Sequence, residues 1–301
     1  MRQLLTRVLP ARWVPYVQHL RLRGAPIVIA QMSVGFVLAN GLHFTADALS
    51  RWLLAALSWA VMGSGGTLAL NSAFDKDEGD IAFLHNPPKP PRLLALFALV
   101  VMVAGLIVAR FIGLRFLVAY LICFVMSALY SVPPFRMKSR PGADMLISAT
   151  GYGAMTVYSG WAALDLPLGP PITNVVVAFF FLLVAWYPLT QFYQMEEDRR
   201  RGDRTLTLVI GKRNGLILAT VAMLAGFAFL GTEILLRYWG LRAIGVALGF
   251  LAWAVVIARW WCHWREADML YERTGMYHLV WAFAVTQIGV LLAMVPLGGP
   301  S

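Results

Sequence analysis

LLALFALVVMVAGLIVARF, residues 93–111, is a run of nineteen positions whose single charge, Arg110, stands near one end. At about 1.5 Å of rise per residue, a helix of that length covers the roughly 30 Å hydrocarbon core of a bilayer. Working outward, comparable windows recur at 24–44, 52–72, 113–133, 143–164, 172–193, 214–236, 241–262 and 277–297. Composition agrees: 59% of residues are hydrophobic, 13% are charged and the mean hydropathy is +0.69, which excludes an ordinary soluble domain of 301 residues. The expected fold is all-α, a polytopic membrane protein with nine transmembrane helices. It forms one domain over 1–301, and 1–23 is a basic N-terminal segment. The first twenty residues lack an apolar core followed by small residues, so no signal peptide is expected.

The basic residues orient the bundle. With a cytoplasmic N-terminus, 20 of the 25 Lys and Arg fall on the cytoplasmic side, and only Arg51, Arg110, Arg115, Arg237 and Arg242 fall outside. By the positive-inside rule this predicts an integral protein of the cell (inner) membrane with an external C-terminus. Twelve of the fifteen Asp and Glu fall on the same cytoplasmic side, the exceptions being Asp47, Asp165 and Glu233. The formal charge of +10 thus reflects topology and attraction to anionic lipid, not nucleic acid. Membrane lipids are expected partners, and no obligatory protein partner is inferred. Cys123 and Cys262 lie inside predicted spans and read as small buried residues without a disulfide. The five histidines show no metal-ligand spacing.

Two acidic clusters sit at helix ends. NSAFDKDEGD, 71–80, follows the second span, and QMEEDRRRGD, 194–203, follows the sixth. Crowded carboxylates beside a low-dielectric membrane repel one another unless water solvates them or a divalent cation holds them. Asn71 and Asp75 stand four apart, on one helical face, and Gln194 and Asp198 repeat the spacing. Gly79 permits a turn that would return Asp80 toward the first pair. Carboxylate and amide oxygens are hard ligands suited to Mg2+, whose coordination is usually completed by water and phosphate oxygens. Either cluster alone reads equally well as a solvated acidic loop; two of them, on one side and with one spacing, favour a shared site that takes a diphosphate.

Between them lies YSVPPFRMKSRPGAD, 130–144. Pro133 and Pro134 stop the helix, and Arg136, Lys138 and Arg140 then offer cations at alternating positions. The loop HNPPKPPR, 85–92, is too proline-rich to be helical and could lay Lys89 and Arg92 over the site.

These residues resemble the UbiA-type superfamily of intramembrane prenyltransferases. The likeness rests on Asn71 with Asp75, on Tyr130 through Asp144, and on Asp198 followed by GDRTLTLVIG at 202–211, and it covers nearly the whole chain. It implies helices around a central cavity open to lipid, with Mg2+ as cofactor. It also implies an isoprenyl diphosphate as one substrate and a hydrophobic or aromatic molecule as the other. By resemblance Asn71, Asp75 and Asp198 inherit metal roles, joined by Asp80, Gln194 and Glu197. Asp75, Asp198, Tyr130 and Lys138 are then the expected catalytic residues, and Lys89, Arg92, Arg136, Lys138, Arg140 and Arg204 the expected diphosphate contacts.

The chain departs from the family pattern twice. Gly79 stands where the first motif usually ends in Asp, with Asp80 one step late. Gln194 stands where the second motif usually begins with Asp, and its amide brings an oxygen without charge. The implied reaction is ionisation of an allylic diphosphate followed by alkylation of an electron-rich acceptor. Tyr152, Tyr158, Trp186 and Tyr193 are candidates to stabilise the cation by their ring faces. Glycines 63, 65, 66, 151 and 153 read as close helix packing. Two other readings compete, a terpene cyclase on the same fold and a non-enzymatic transporter. A transporter is expected to put charges or broken helices at the bilayer midplane, whereas this chain places its charges at helix ends.

Overall fold

The computed structural model describes residues 9–75, 81, 84, 86–237 and 240–294, and apart from one isolated bridge these residues are helical or irregular. In chain order the helices are α1 (Val14–His19), α2 (Ala25–Asn40), α3 (Ala46–Phe74), α4 (Leu94–Ile112) and α5 (Leu114–Ser131). They continue with α6 (143–162), α7 (Ile172–Gln191), α8 (Met195–Arg201), α9 (Leu206–Arg237), α10 (Ala243–His263) and α11 (Met269–Met294). Local chemistry sets their ends. Pro26 opens α2 where its missing N–H is not needed, and the Thr45 side chain caps α3 by accepting from Ala48 N at 3.2 Å. A single extended residue, Gly113, separates α4 from α5, so the two must run antiparallel as neighbours.

Eight helices among the described residues are long and apolar enough to span a bilayer, and they match eight of the nine expected windows. The ninth window, 143–164, is also helical, but α6 carries Asp144, Thr156 and Ser159 and falls short in apolarity. All three side chains are buried, so the polar residues of α6 face protein, while its Leu146 stays exposed. The large apolar side chains left exposed on the remaining helices, Ile107, Val118, Leu251 and Leu292 among them, are what lipid requires of an outer surface.

The bundle is packed in two halves. Helices α7, α9, α10 and α11 enclose one core around Phe179, Leu182, Trp253 and Phe283, and α3, α4 and α5 enclose another around Trp59, Phe116 and Tyr120. Helices α2 and α6 join them: Val34 and Leu38 of α2 enter the first core, and Met32 and Phe36 enter the second. In lipid the tails are as apolar as the side chains, so close van der Waals packing must hold helices together. Glycines supply it where α2 crosses α6. A Cβ on Gly35 would lie 1.9 Å from Val157 O, and one on Gly160 would lie 1.8 Å from Met32 O.

Three helices depart from α geometry, and one of them, α9, is broken at Gly211, whose backbone is non-helical (φ 77°, ψ 163°). Leu57–Ser64 of α3 and Ala149–Met155 of α6 are π-helical, and these wider turns leave carbonyls to be satisfied locally, as when Thr156 Oγ1 donates to Gly151 O at 2.9 Å. Charge divides between the two ends of the bundle. Asp47–Arg51, Asp165–Arg115 and Glu233–Arg237 pair at one end; Asp75–Lys138, Asp203–Arg136 and Glu272–Lys212 pair at the other. Asp75 of the first acidic cluster and Asp203 of the second thus lie at one end of the bundle, while residues 76–80 lie outside the described residues.

Candidate active site

A cavity of about 170 Å3 opens between α3, α4, α5 and α6. Both π-helical stretches line it, through Trp59, Gly63 and Ser64 on α3 and Gly151 and Tyr152 on α6. Nothing lies within 4 Å of a Cβ built on Gly151, so this glycine leaves cavity space, whereas Gly153 fits the expected close packing, its Cβ position lying 2.7 Å from Phe179 O. The inner end is aromatic. Trp59 meets Phe116 and Tyr120 edge to face, donates to Thr156 Oγ1 at 3.2 Å, and Tyr120 donates to Met102 O at 2.9 Å. Asn71 and Tyr130 line the outer end, the latter 3.4 Å from the Tyr187 hydroxyl.

At this mouth three expected residues come together. Helix α3 ends at Phe74, and Asp75 turns extended (φ −87°, ψ 142°) while its N–H still bonds Asn71 O at 3.0 Å. The Lys138 ammonium ion-pairs with Asp75 Oδ1 and lies 3.4 Å from Asn71 Oδ1, which Ser131 Oγ also approaches at 3.4 Å. An amide oxygen and a carboxylate oxygen therefore converge on one cation. That donor set is the hard-oxygen chemistry Mg2+ takes, so the residues present fit the metal the sequence suggested. Among the described residues no group of three or more His, Cys, Asp or Glu gathers to hold a metal on protein ligands alone. Asp80 lies outside the described residues.

The second cluster is built differently from a regular helix. After α7 the chain tightens into a 3-10 turn, Phe192–Gln194, before α8 begins, so Gln194 sits at the junction and its amide donates to the Tyr193 hydroxyl at 3.1 Å. Asp198 is only 4% exposed and accepts from Thr205 Oγ1 at 3.4 Å. Gly202, in left-handed conformation (φ 75°), reverses the chain so that Asp203 N reaches Asp198 O at 3.0 Å. Asp203 pairs in turn with Arg136 at 3.7 Å, linking this turn to the basic loop. Glu197 is half-buried on α8, while Lys89, Arg92, Arg140 and Arg204 are exposed on the loops. Residues 86–91 are irregular, as their prolines require.

Several contributors were not assigned from the sequence. Asp144, fully buried in the first turn of α6, accepts from Gly142 N at 2.9 Å, Gln191 Nε2 at 2.8 Å and Leu206 N at 3.4 Å. Gln191 Oε1 accepts from Thr207 N and Oγ1 at 3.2 and 3.1 Å, so one carboxylate and one amide clamp the basic loop, the end of α7 and the start of α9. A carboxylate inside a predicted span was the available signal. Arg21 is 5% exposed and donates to Ser72 Oγ at 2.7 Å. Beside it His19 shares a hydrogen bond with Pro88 O at 3.1 Å, and burial first, with the Arg21 charge lesser, lowers its pKa against the opposing pull of that carbonyl. Of the four aromatic candidates, Tyr152 lines the cavity; Trp186 packs on Phe283, Tyr158 packs in the second core, and Tyr193 takes the Gln194 bond. Cys123 lines the cavity and Cys262 is exposed, both as free thiols.

The class these features define is an integral helical membrane protein with hard-oxygen donors and cations at the mouth of an apolar, aromatic-ended cavity. The comparisons narrow it. The UbiA prenyltransferase family model matches residues 28–283, and the chain belongs to that family. A lycopene elongase/hydratase of Haloarcula japonica is 26% identical over 68% of this chain and 71% of its own length. A homogentisate phytyltransferase of Synechocystis sp. is 30% identical over 60% of each chain. The fold matches the structure of a UbiA homolog from Archaeoglobus fulgidus bound to GPP and Mg2+, with a TM-score of 0.72, 18% identity, and coverage of 90% of this chain and 99% of that one.

Proposed function

We propose that the chain transfers an isoprenyl group from an allylic isoprenyl diphosphate to an aromatic or lipid acceptor within the membrane and releases diphosphate. The observation that carries this reading is the convergence of Asn71 Oδ1 and Asp75 Oδ1 on a cation at the mouth of an apolar cavity. The bond from the allylic carbon to the diphosphate oxygen breaks, a bond from that carbon to the acceptor forms, and the acceptor loses a proton.

Mg2+, held by Asn71 and Asp75 and from the second cluster by Asp198 with Gln194 or Glu197, would supply positive charge for the departing diphosphate. Lys138, Arg136 and Arg140 bind the same anion, with Lys89, Arg92 and Arg204 reaching it from the neighbouring loops. The buried apolar wall keeps water from the reacting carbon. Tyr130 and Tyr152 present polarisable rings along it, and Trp59 and Tyr120 do so at the inner end. Names of relatives support the reading: one acts as a phytyltransferase, and the A. fulgidus homolog binds GPP with Mg2+.

Turnover of a long-chain allylic diphosphate by membranes containing the protein should require Mg2+ or a similar hard cation and stop in EDTA, because bare carboxylates repel the anionic substrate. Undiminished turnover in metal-free buffer would remove the reason for the acidic clusters. The site is further proposed to face the cytoplasm. Reporter fusions after Arg140 and Arg201 should read cytoplasmic and one after Ser301 external, in keeping with the 20 to 5 division of basic residues. The inverse pattern would move the site to the other compartment.

A further inference from the structure

We infer that the acceptor is a neutral molecule carrying a hydroxyl group, and that Ser64 on α3 and Tyr152 on α6 hold that hydroxyl inside the cavity. The inference rests on the prenyl transfer reading above and narrows its acceptor. Both residues line the cavity, and both belong to its π-helical stretches, a geometry frequent at functional sites.

The Tyr152 hydroxyl is buried and completes no hydrogen bond among the described residues, although the Ser64 hydroxyl on the α3 wall stands within reach of it. Even a bond between the two would use one of their two protons and leave the other, with free lone pairs, for a ligand. Other hydroxyls of the wall are differently placed: Thr67, Ser127 and Thr156 each donate to a backbone carbonyl of their own helix, at 2.9, 2.8 and 2.9 Å. A buried hydroxyl short of a partner costs free energy that a ligand hydroxyl would recover. Space for that ligand lies alongside, because a Cβ on Gly151, next to Tyr152, meets nothing within 4 Å.

Depth assigns the pair to the acceptor. Ser64 precedes Asn71 on α3 by two helical turns, about 10 Å further into the cavity than the converging donors at the mouth. A donor whose diphosphate is held at the mouth directs its allylic carbon inward, toward this level, and its hydrocarbon tail has nothing to offer a hydroxyl. Charge is the second constraint. None of the described residues that line the cavity is charged, so an ionised carboxylate or phosphate placed there would be desolvated with no counterion on the wall. A neutral hydroxyl meets no such penalty, and a plain hydrocarbon acceptor would leave Tyr152 unpaired.

The test is equilibrium binding, in detergent, of three radiolabelled probes built on one ring system: 2-naphthol, 2-methoxynaphthalene and 2-naphthoate. The proteins are wild type, Tyr152→Phe, Ser64→Ala and Thr67→Val, with Tm and Mg2+-dependent binding of inorganic diphosphate recorded for each. Wild type should prefer 2-naphthol to the ether and to the carboxylate by roughly 10-fold or more. Tyr152→Phe, which keeps the ring and removes only the hydroxyl, and Ser64→Ala should each weaken 2-naphthol binding by roughly 3- to 10-fold, the range of one hydrogen bond. Neither variant should change binding of the ether, and Thr67→Val should match wild type throughout. Unchanged 2-naphthol affinity in Tyr152→Phe or in Ser64→Ala overturns the inference. So does a wild type that binds the ether as tightly as the phenol, the carboxylate more tightly, or 2-naphthol not at all. Should Tyr152→Phe fail to fold, Ser64→Ala decides by the same criterion. A wild type that binds no diphosphate would instead fail the prenyl transfer reading, and the acceptor role with it.

Discussion

Asp198→Asn is expected to lower prenyl transfer by roughly 100-fold or more while leaving the fold intact, comparable to removing one preorganised electrostatic group from a transition state. Asn has the same shape, and the Thr205 hydroxyl that bonds Asp198 Oδ2 can bond an amide oxygen as well, so the change isolates charge. Gln194→Ala should cost far less, because Gln194 sits at a 3-10 junction with its amide turned to Tyr193. Gln194→Asp should preserve activity or tighten the Mg2+ requirement by adding the missing charge. Glu197 is the control: one residue from Asp198, it points about 100° away around α8. Rates measured on one membrane preparation decide the matter. Normal turnover in Asp198→Asn with a dead Glu197→Gln would shift the second cluster to the neighbouring acids.

The second large effect is structural. Gly160→Ala should destabilise the bundle by roughly 3 kcal/mol, at the upper end for overpacking. The added carbon would lie 1.8 Å from Met32 O and 2.6 Å from Phe36 N, both backbone atoms that no rotamer change can move. Helices α2 and α6 must then part, and because α2 and α6 contribute to both cores the damage spreads across the bundle. Gly231→Ala on α9, where a Cβ meets nothing within 4 Å, should leave the melting temperature unchanged or slightly raised. Equal melting of the two variants would show that the α2–α6 crossing does not hold the halves together.

The spans were legible because their signal is additive: α4 and α5 are apolar along most of their length, with one arginine each near an end, and so few polar residues could not cancel that. Helix α6 was legible as a span, but its polar residues pointed nowhere until burial assigned them. The pair Asn71 and Asp75 was legible because one helical turn separates them, and Lys138 because it is one of three alternating cations in a loop that resembles the family's. Gln194 and Asp198 were drawn on a regular helix that the chain tightens into a 3-10 turn. No residue type announces an i to i+5 hydrogen bond, so the π-helical walls were invisible. Arg21 was hidden differently, since an arginine that orients the chain in the membrane and one buried against a helix are the same letter.

The aromatic inner end of the cavity has an electrical consequence. A charge crossing the membrane exchanges about 2.3 kcal/mol per 100 mV with the field, so any water-filled path through the bundle would short the potential the cell maintains. Trp59 and Tyr120 are nearly buried and Phe116 is wholly so, and together they stand between the polar mouth and the opposite rim of Arg51 and Arg115. They make the cavity a blind well. A polar mouth at one end of the bundle is thereby compatible with a membrane that remains an insulator.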